Sequence, residues 1–471
     1  MAFAFSNGQN ASVVIGQPNF TTKLSIAPLV NQSRLDTPYD SKFDSSGNLW
    51  VVDSANSRIL EFKPPFSTGE SASVVLGEPN FESSFLGGST QINGTVLYVP
   101  EAITFDSSGN MWVSDTGDAR VVEFTAPFST GENASLVLGV PTLNIAGDNT
   151  APASQSNLNT PAGLTFDSSG NLWVADPGFY RVVEFKAPLS DGESASVVLG
   201  QDNFTAKQFP NEPNCPPACN TPTAATLDAP YDVAFDHSGN LWVADRDDYR
   251  VSEFTQPFTN GQAASTAVGG SCSIFGVVMA ANCMSVIEFI GFDRSGTLWV
   301  SDTGNGRVLG FPAPLTAGEN ATVVLGEPDF KTTYGFSWNA TQSLLIAPEG
   351  FAFDSSGNLW VSDSGVNRVL EFSSSAVAST STVSSTISTT SQTSASSPVP
   401  STTLAQQTTT AQVATSSAPQ QTASSSSTSS SGGGSVPEFP YQSMAVAAIT
   451  VLVVASYLLM RRRSVGQLPT A

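Results

Sequence analysis

Residues 43–62 read FDSSGNLWVVDSANSRILEF, and five further variants of this segment occur along the 471-residue chain. The copies are marked by tryptophans that lie 57 to 69 residues apart, at Trp50, Trp112, Trp173, Trp242, Trp299 and Trp360. Within the segment, an apolar run ends in Phe-Asp, a Ser-Gly-Asn turn follows, and Leu-Trp-Val leads to a second polar turn and another apolar run. Short apolar runs that are separated by turns and repeated at a regular spacing predict an all-β repeat protein.

A second repeated segment follows each of the first five copies, as in residues 69–77 (GESASVVLG), and predicts a fourth strand. Six units of four strands favour a six-bladed β-propeller, because a ring of sheets protects its strand edges by closing on itself. The sequence begins with a lone fourth strand within residues 11–16, whereas the sixth unit stops after three strands at Phe372. We therefore expect a propeller over residues 5–372 whose last blade is completed by the N-terminal strand.

The combined pattern resembles the NHL repeat family over residues 5–372. It reads Pro-x-Gly-apolar-x-Phe-Asp, then x-x-Gly-Asn-apolar-Trp-Val-x-Asp, then Arg-Val-x-x-Phe. The fifth unit departs most, with Ile287 in the Pro position, Thr297 for Asn and Gly310 for Glu. The resemblance implies a propeller of four-stranded blades, and the departures predict a looser fifth blade.

Residues present in every unit are better explained by the blade than by a single binding site. Asp53 and Arg58, with their equivalents up to Asp363 and Arg368, bracket a four-residue hairpin turn and can pair across it or with the neighbouring blade. As partly exposed ion pairs they would each contribute about 0–1 kcal/mol. The six tryptophans are predicted to pack between blades.

Function is expected where the units differ, because loops carry specificity on a rigid scaffold. The variable segments connect each fourth strand to the next blade and should emerge on one face; they are residues 21–37, 82–99, 142–160, 205–229, 270–286 and 331–347. Two adjacent loops contain the four cysteines, and we predict the local disulfides Cys215–Cys219 and Cys272–Cys283, one of three connectivities. Such bridges would stiffen a binding surface, whereas surface drift alone would also produce variable loops.

Five of the six units carry an acidic residue at the start of the predicted innermost strand, beside the central channel, where the residue type varies between blades. The acidic residues are Asp40, Glu101, Asp232, Glu288 and Glu349, with Ala162 or Gly163 in the third blade. Five carboxylates that converge on a channel mouth would suit Ca²⁺, which takes about 6–8 oxygen ligands. The alternative is that these carboxylates only hydrate the rim of the channel.

The scarcity of histidine restricts the catalytic and metal-binding chemistry that the chain could perform. The chain has one histidine, His237, in a predicted solvated turn, which excludes a Ser-His-Asp triad and a multi-histidine zinc site. We therefore predict no catalytic residue and no cofactor other than Ca²⁺. Propeller lactonases of the gluconolactonase type hold a divalent ion with carboxylates and amides, so a cation-dependent hydrolase or lyase stays open as an alternative. With 18 basic and 40 acidic residues, the chain is not expected to bind nucleic acid.

The composition changes sharply after the propeller. Residues 373–435 contain no charged or aromatic residue and are rich in Ser and Thr, which predicts a disordered stalk. Such a tract is typical of O-glycosylated, extended stalks, and an unmodified linker is the alternative.

A predicted membrane segment follows the stalk. Residues 441–460 carry no charge and are followed by Arg461, Arg462 and Arg463, a length and polarity that suit one transmembrane helix with a cytoplasmic tail at residues 464–471. The alternative topology is a cytosolic tail-anchored protein. The motif Pro437-Glu438-Phe439, within the 436–463 segment, resembles the PEF-type sorting signals of archaeal surface proteins that archaeosortases are thought to cut. A permanent anchor is the alternative to such processing.

Other features favour an extracellular propeller. Eight Asn-x-Ser/Thr sequons are candidate glycosylation sites, at Asn10, Asn19, Asn31, Asn93, Asn133, Asn203, Asn320 and Asn339. The paired cysteines also fit an oxidising compartment. Residues 1–5 are too short for a signal peptide, and we hypothesise that the natural start lies upstream.

The sequence therefore predicts a cell-surface recognition or adhesion protein whose propeller binds a protein, a glycan or an envelope component. The cation-dependent hydrolase or lyase is one alternative. A purely structural envelope component is the other.

Overall fold

The computed structural model describes residues 3–22, 30–84, 92–207, 222–270, 280–332 and 340–376. The chain divides into two units, Met1–Ser379 and Thr380–Ala471, and all described residues belong to the first. The predicted stalk, membrane segment and sorting motif therefore lie outside the described residues. Within the part that the structure describes, no helix has the length and apolar character needed to cross a bilayer.

Six four-stranded antiparallel sheets follow one another along the chain, and we number them as blades 1 to 6. Two short strands precede them, β1 (Phe3–Ala4) and β2 (Val13–Ile15). Blade 1 contains β3 (Pro38–Phe43), β4 (Leu49–Asp53), β5 (Arg58–Phe62) and β6 (Val74–Leu76), and blade 2 contains β7 (Ala102–Phe105), β8 (Met111–Asp115), β9 (Arg120–Phe124) and β10 (Leu136–Leu138). Blade 3 contains β11 (Leu164–Phe166), β12 (Leu172–Asp176), β13 (Arg181–Phe185) and β14 (Val197–Leu199).

The second half of the ring repeats this arrangement. Blade 4 contains β15 (Pro230–Phe235), β16 (Leu241–Asp245), β17 (Arg250–Phe254) and β18 (Thr266–Gly269), and blade 5 contains β19 (Ile287–Phe292), β20 (Leu298–Asp302), β21 (Arg307–Phe311) and β22 (Val323–Leu325). Blade 6 contains β23 (Pro348–Phe353), β24 (Leu359–Asp363) and β25 (Arg368–Phe372), and β26 (Ser375–Ala376) follows it. Blade 5 has the same four strands as the others, so the departures at its repeat positions do not interrupt it.

The turn between the second and third strands is tight in every blade. Five blades place a 3-10 helix there: Ser54–Asn56, Thr116–Asp118, Pro177–Phe179, Thr303–Asn305 and Ser364–Val366. In blade 4, residues 246–249 form a turn closed by a hydrogen bond from the Tyr249 N–H to the Arg246 carbonyl.

Tryptophan packing joins neighbouring blades, as the repeat predicted. Trp50 of blade 1 meets Phe128, which precedes β10 of blade 2, in an edge-to-face contact with 4.9 Å between ring centroids. The indole Nε1 of Trp50 donates to the Asp44 carboxylate at 3.0 Å, so the polar atom of this buried ring is also satisfied. Trp360 of blade 6 makes the same contact with Phe66 of blade 1, at 4.8 Å.

The N-terminal strand closes the ring, which confirms the prediction made from the split repeat. Strand β2 pairs antiparallel with β25, with Val14 opposite Leu370, and so becomes the fourth strand of blade 6. The pairing of β1 with β26 extends this contact beyond Phe372, which the sequence did not predict. Phe5 takes the place that Phe66 and Phe128 hold in other blades and meets Trp299 of blade 5 at 5.1 Å.

The substitution Phe5→Ala should destabilise the closed ring. It removes a buried ring from the Trp299 contact, and comparable truncations cost about 3–5 kcal/mol. We expect a lower melting temperature for the whole propeller in thermal denaturation followed by circular dichroism. Asn10→Ala, at an exposed position in the same segment, is the control. Equal melting temperatures for Phe5→Ala and Asn10→Ala would contradict the proposed clasp.

Candidate functional site

The buried Asp–Arg pairs form the base on which the variable loops rest. Asp53 and Arg58 are paired residues of β4 and β5, and the Nε of Arg58 lies 2.7 Å from the Oδ2 of Asp53. Both side chains are fully buried, so the prediction of partly exposed pairs was wrong for this blade. Among the arginines of the six equivalent pairs, only Arg250 of blade 4 contacts solvent, with 18% of its side chain exposed. The pairs are buried because the preceding and following loops fold over them.

The arginines hold these loops through backbone carbonyls. In blade 1, Arg58 donates to the carbonyl of Phe81 at 2.7 Å and to the carbonyls of Asn31 and Arg34 at 3.0 Å. Its ion-pair partner Asp53 also accepts the backbone N–H of Asp36 at 2.6 Å. One buried guanidinium therefore fixes the loop that enters the blade and the loop that leaves it.

The same contacts recur in blades 2, 3, 5 and 6, and Arg250 of blade 4 donates to the carbonyls of Thr223 and Thr226 in the loop that enters it. Arg120 donates to the carbonyls of Leu143, Asn93 and Val96; Arg181 to those of Ser154, Asn157 and Phe204; Arg307 to those of Ala280, Cys283 and Phe330; and Arg368 to those of Phe20, Thr341 and Leu344. Because only carbonyl groups are used, the loop side chains are free to vary without loss of the anchor. This arrangement gives a set of different loops a common rigid base.

The five predicted channel carboxylates occupy two successive positions of the inner strands. Glu101, Glu288 and Glu349 directly follow the first residue of the repeat, where blades 1 and 4 have Tyr39 and Tyr231. Asp40 and Asp232 stand one residue later and are buried, at 1% and 6% exposure. The five side chains therefore do not form a single ring of equivalent ligands.

Asp40 and Asp232 join neighbouring blades. The Oδ2 of Asp40 accepts the backbone N–H of Ile103 in blade 2 at 3.1 Å, and the Oδ2 of Asp232 accepts the N–H of Ile290 in blade 5 at 3.0 Å. Gly350 of blade 6 lies on the other side of Asp40, and it packs so closely that a Cβ atom at this position would overlap the Asp40 carboxylate. Gly163 has the same relation to Asp232. Each aspartate therefore contacts both neighbouring blades. It binds a backbone N–H of the following blade, and it packs against a glycine of the preceding blade, where a larger residue would not fit.

Two tyrosines from opposite blades meet near the axis. The hydroxyls of Tyr39 in blade 1 and Tyr231 in blade 4 lie 2.9 Å apart. Tyr39 also bonds to Glu288 at 2.8 Å, and Tyr231 bonds to Glu101 at 2.7 Å. Our sequence reasoning missed both tyrosines, although their occurrence at the same repeat position three blades apart was a usable signal. They make a continuous polar chain from blade 2 to blade 5.

This axial cluster ends in a pair of glutamates. Glu288 pairs with Arg246 at 3.3 Å, and its negative charge acts on the neighbouring Glu349. The Oε1 of Glu349 accepts from the Ser364 hydroxyl at 2.8 Å, whereas its buried Oε2 has no donor among the described groups.

Burial raises the pKa values of three carboxyl groups near the axis. Burial, reinforced by the negative charge of Glu288, raises the pKa of Glu349 well above its ordinary value. Burial also raises the pKa of Asp232 to about 7, opposed by the nearby Lys42 ammonium. Burial raises the pKa of Asp40 in the same way, although Lys42 contacts its carboxylate at 2.7 Å.

The Ca²⁺ hypothesis finds no assembled ligand set in the described residues. None of their His, Cys, Asp and Glu side chains form a group of three or more that could hold a metal ion. The channel carboxylates are occupied instead by backbone N–H groups, tyrosine hydroxyls and Arg246. Outside the channel, His237 is exposed in its turn, as predicted.

The other predicted sites are only partly covered by the structure. Cys283 is disulfide-bonded, but Cys215, Cys219 and Cys272 lie outside the described residues, so the pairing stays a prediction. Asn10, Asn19, Asn133, Asn203 and Asn320 are exposed, whereas Asn31 and Asn93 are half-buried and Asn339 lies outside the described residues. Their glycosylation also stays a prediction.

The fold and the repeat together define a six-bladed β-propeller. The family model of the NHL repeat matches residues 345–372, which include strands β23, β24 and β25 of blade 6. The fold expected from the repeated segment is therefore confirmed, and the expected NHL repeat is matched in the last unit.

Comparison with known proteins gives distant relatives. Mouse Teneurin-1 is 22% identical over 350 residues, which cover 65% of this chain and 12% of that protein. Zebrafish (Danio rerio) Teneurin-3 is 22% identical over 388 residues, which cover 73% of this chain and 13% of that protein. The chain thus spans about one eighth of the length of these relatives.

Solved propeller structures are also similar. A streptogramin B lyase is 13% identical with a TM-score of 0.40, covering 73% of this chain and 96% of the lyase. A gluconolactonase from Xanthomonas campestris is 13% identical with a TM-score of 0.43, covering 77% of this chain and 98% of that enzyme. Likeness at this level carries no inference about activity.

The substitution Arg181→Met should destabilise the propeller strongly. It leaves the Asp176 carboxylate buried without its cation and frees three loop carbonyls, and breaking a buried pair costs about 3–5 kcal/mol. Lys63→Met is the control, because Lys63 is 56% exposed and its pair with Glu61 should contribute about 0–1 kcal/mol. Urea unfolding measures both. Similar midpoints for the two variants would contradict the anchoring role.

The buried channel acids should make the propeller more stable at acidic pH. Their raised pKa values mean that the folded chain binds these protons more tightly than the unfolded chain, whose values are near 3.8 for Asp232 and 4.5 for Glu349. This stabilisation is complete below the unfolded values and is lost as the pH rises through the folded value, which is about 7 for Asp232. The melting temperature should therefore fall between about pH 5 and about pH 8.

Variants of the channel acids test the cause of this pH dependence. Asp232→Asn and Glu349→Gln should each reduce the fall in melting temperature across that range. Asp148→Asn, at a fully exposed loop position, should leave it unchanged. An unaltered pH profile in both channel variants would show that other groups are responsible.

Proposed function

We propose that this chain is a cell-surface recognition or adhesion protein whose propeller presents its variable loops to a protein, a glycan or an envelope component. The observation that carries the proposal is the set of buried arginines, each of which holds differing loops by their carbonyls alone. A base of this kind keeps the loop backbone in place while the loop side chains change. Preorganised loops lose less conformational entropy on binding.

The loop face also offers an apolar contact point. Ile145, between blades 2 and 3, is 46% exposed and is the only large hydrophobic side chain of the described residues that is strongly exposed. Apolar residues in the centre of a contact commonly supply much of the binding energy. We therefore place the binding surface on this face, with Ile145 as its first candidate.

The surface location is supported by the relatives and by the sequence. Teneurins are membrane-anchored cell-surface proteins, and the similarity covers 65% of this chain for mouse Teneurin-1 and 73% for zebrafish Teneurin-3. In our proposal the 373–435 stalk, the apolar segment at 441–460 and the Pro437-Glu438-Phe439 motif hold the propeller at the surface, with the sequon asparagines glycosylated. The proposal includes processing by an archaeosortase-like enzyme.

The cation-dependent hydrolase is less favoured by the geometry. Its carboxylates would have to be available to an ion, but Asp40 and Asp232 bind backbone N–H groups of the next blade. Glu101 and Glu288 bind tyrosine hydroxyls and Arg246, and one oxygen of Glu349 binds the Ser364 hydroxyl. These contacts explain the carboxylates as parts of the ring.

Binding of the full-length protein to isolated cell envelopes of its source organism tests the proposal. We expect saturable binding that Ile145→Asp weakens by about tenfold, equivalent to about 1.4 kcal/mol. Ser45→Asp is the matched control, because it places the same charge on an exposed residue of a first-to-second-strand hairpin turn instead of on a long loop.

Other outcomes point to the alternatives. Hydrolysis of a γ-lactone that requires Ca²⁺ and is lost in Glu349→Gln would favour the enzyme. Equal loss of binding in Ile145→Asp and Ser45→Asp would show that the loop face is not the binding surface. Absence of binding would leave a structural role in the envelope.

A further inference from the structure

The outer strand of each propeller blade has one edge that no further strand covers. An uncovered edge exposes backbone N–H and C=O groups and can pair with another chain. The six outer strands here are β2, β6, β10, β14, β18 and β22. How each edge is protected can therefore be compared blade by blade.

In five blades, a loop of the following blade caps the middle residue of the outer strand. The Gly131 N–H donates to the carbonyl of Val75 at 3.1 Å, and the hydroxyl oxygen of Thr130 accepts the N–H of Val75 at 3.4 Å. The other capped residues are Val14 (Thr68 and Gly69), Val137 (Asp191 and Gly192), Val198 (Asn260 and Gly261) and Val324 (Asn7 and Gly8). All five capped valines are fully buried.

Blade 4 lacks this cap. Its middle residue is Ala267, and the loop of blade 5 brings Ala317 and Gly318 to the capping position. The methyl group of Ala317 cannot accept a hydrogen bond, and no bond joins Gly318 to Ala267 in the described part of the chain. Ala267 is half-buried, in contrast to the five valines. Its outward N–H and C=O groups form an open edge on β18.

The surroundings of this edge leave it accessible. The sequence has no Asn-x-Ser/Thr sequon between Asn203 and Asn320, so no candidate glycan lies in strands β15 to β18 or in the turns between them. Strand β18 has the sequence Thr-Ala-Val-Gly and contains no charged residue. Neither a charged side chain of β18 nor a candidate glycan of blade 4 therefore covers Ala267 in the described part of the chain.

We propose that the open edge of β18 binds an extended, basic peptide of a partner protein as a fifth strand of blade 4. The Ala267 N–H and C=O would pair with one residue of the peptide backbone, as in other complexes formed by strand addition. This surface is separate from the variable loop face, so the inference stands independently of the ligand proposed there.

The charge around the edge favours a basic peptide over a second copy of this chain. Glu319 follows Ala317 and Gly318, Glu253 is the β17 partner of Thr266, and Asp247 is exposed in the turn that leads to β17. The chain as a whole has a net charge of −22. A second copy would bring like charges together, whereas Lys or Arg side chains beside the peptide strand would be attracted.

Fluorescence anisotropy with labelled synthetic peptides on the full-length protein tests the proposal. The probes are acetyl-Lys-Thr-Val-Thr-Lys-amide and its counterpart with Glu in place of both Lys residues. We expect saturable binding of the basic peptide that weakens as salt is added, and at least tenfold weaker binding of the acidic peptide. Hydrogen exchange should show that the bound basic peptide protects the Ala267 amide.

The decisive variant is Ala317→Thr, which restores the cap found at Thr68 and Thr130. It should keep or raise the melting temperature, slow exchange of the Ala267 amide without peptide, and weaken binding of the basic peptide at least tenfold. Ala263→Thr makes the same chemical change at an exposed position nearby and should bind like the unmodified protein.

Three results would overturn the proposal. The first is equal binding of the basic peptide by Ala317→Thr and the unmodified protein. The second is absence of binding, or equal binding of the basic and acidic peptides. The third is a dimer in sedimentation that Ala317→Thr converts to a monomer, because the edge would then serve a second copy of this chain.

Discussion

The buried Asp–Arg pair between the second and third strands is the interaction on which the rest of this propeller depends. Each pair takes two charges out of water, which is favourable only if their remaining hydrogen-bonding capacity is satisfied. Loop carbonyls and a loop N–H complete that capacity, as the contacts of Arg58 and Asp53 show. Folding of the hairpin and ordering of the loops are therefore coupled in every blade.

This coupling explains how the blades can be alike in their strands and different in their loops. The arginine recognises backbone atoms at fixed distances along the chain, so a loop can change in sequence as long as its ends return to those positions. Loop length varies between these anchored ends. The result is a scaffold suited to recognition, in which the loops differ between blades while their anchors repeat.

The axis and the rim show two further ways in which the ring satisfies its polar groups. At the axis, tyrosines from opposite blades meet and connect glutamates through hydrogen bonds, and burial raises the pKa of Glu349. At the rim, the loop of one blade caps the outer strand of the blade before it, except at Ala267. Both arrangements act between blades, so closure of the ring is a condition for each of them.

The sequence by itself determined the period, the four strands of each unit, the number of blades and the strand that closes the ring. These follow from local patterns, because apolar alternation and turn residues act over a few positions. Only the tertiary structure decided that Asp53 and Arg58 are buried, since the loop carbonyls that cover them come from up to 27 residues away. It also decided that Tyr39 meets Tyr231, 192 residues away, and that Ala317 leaves Ala267 uncapped. Such contacts depend on how neighbouring and opposite blades are placed by ring closure, which no local pattern encodes.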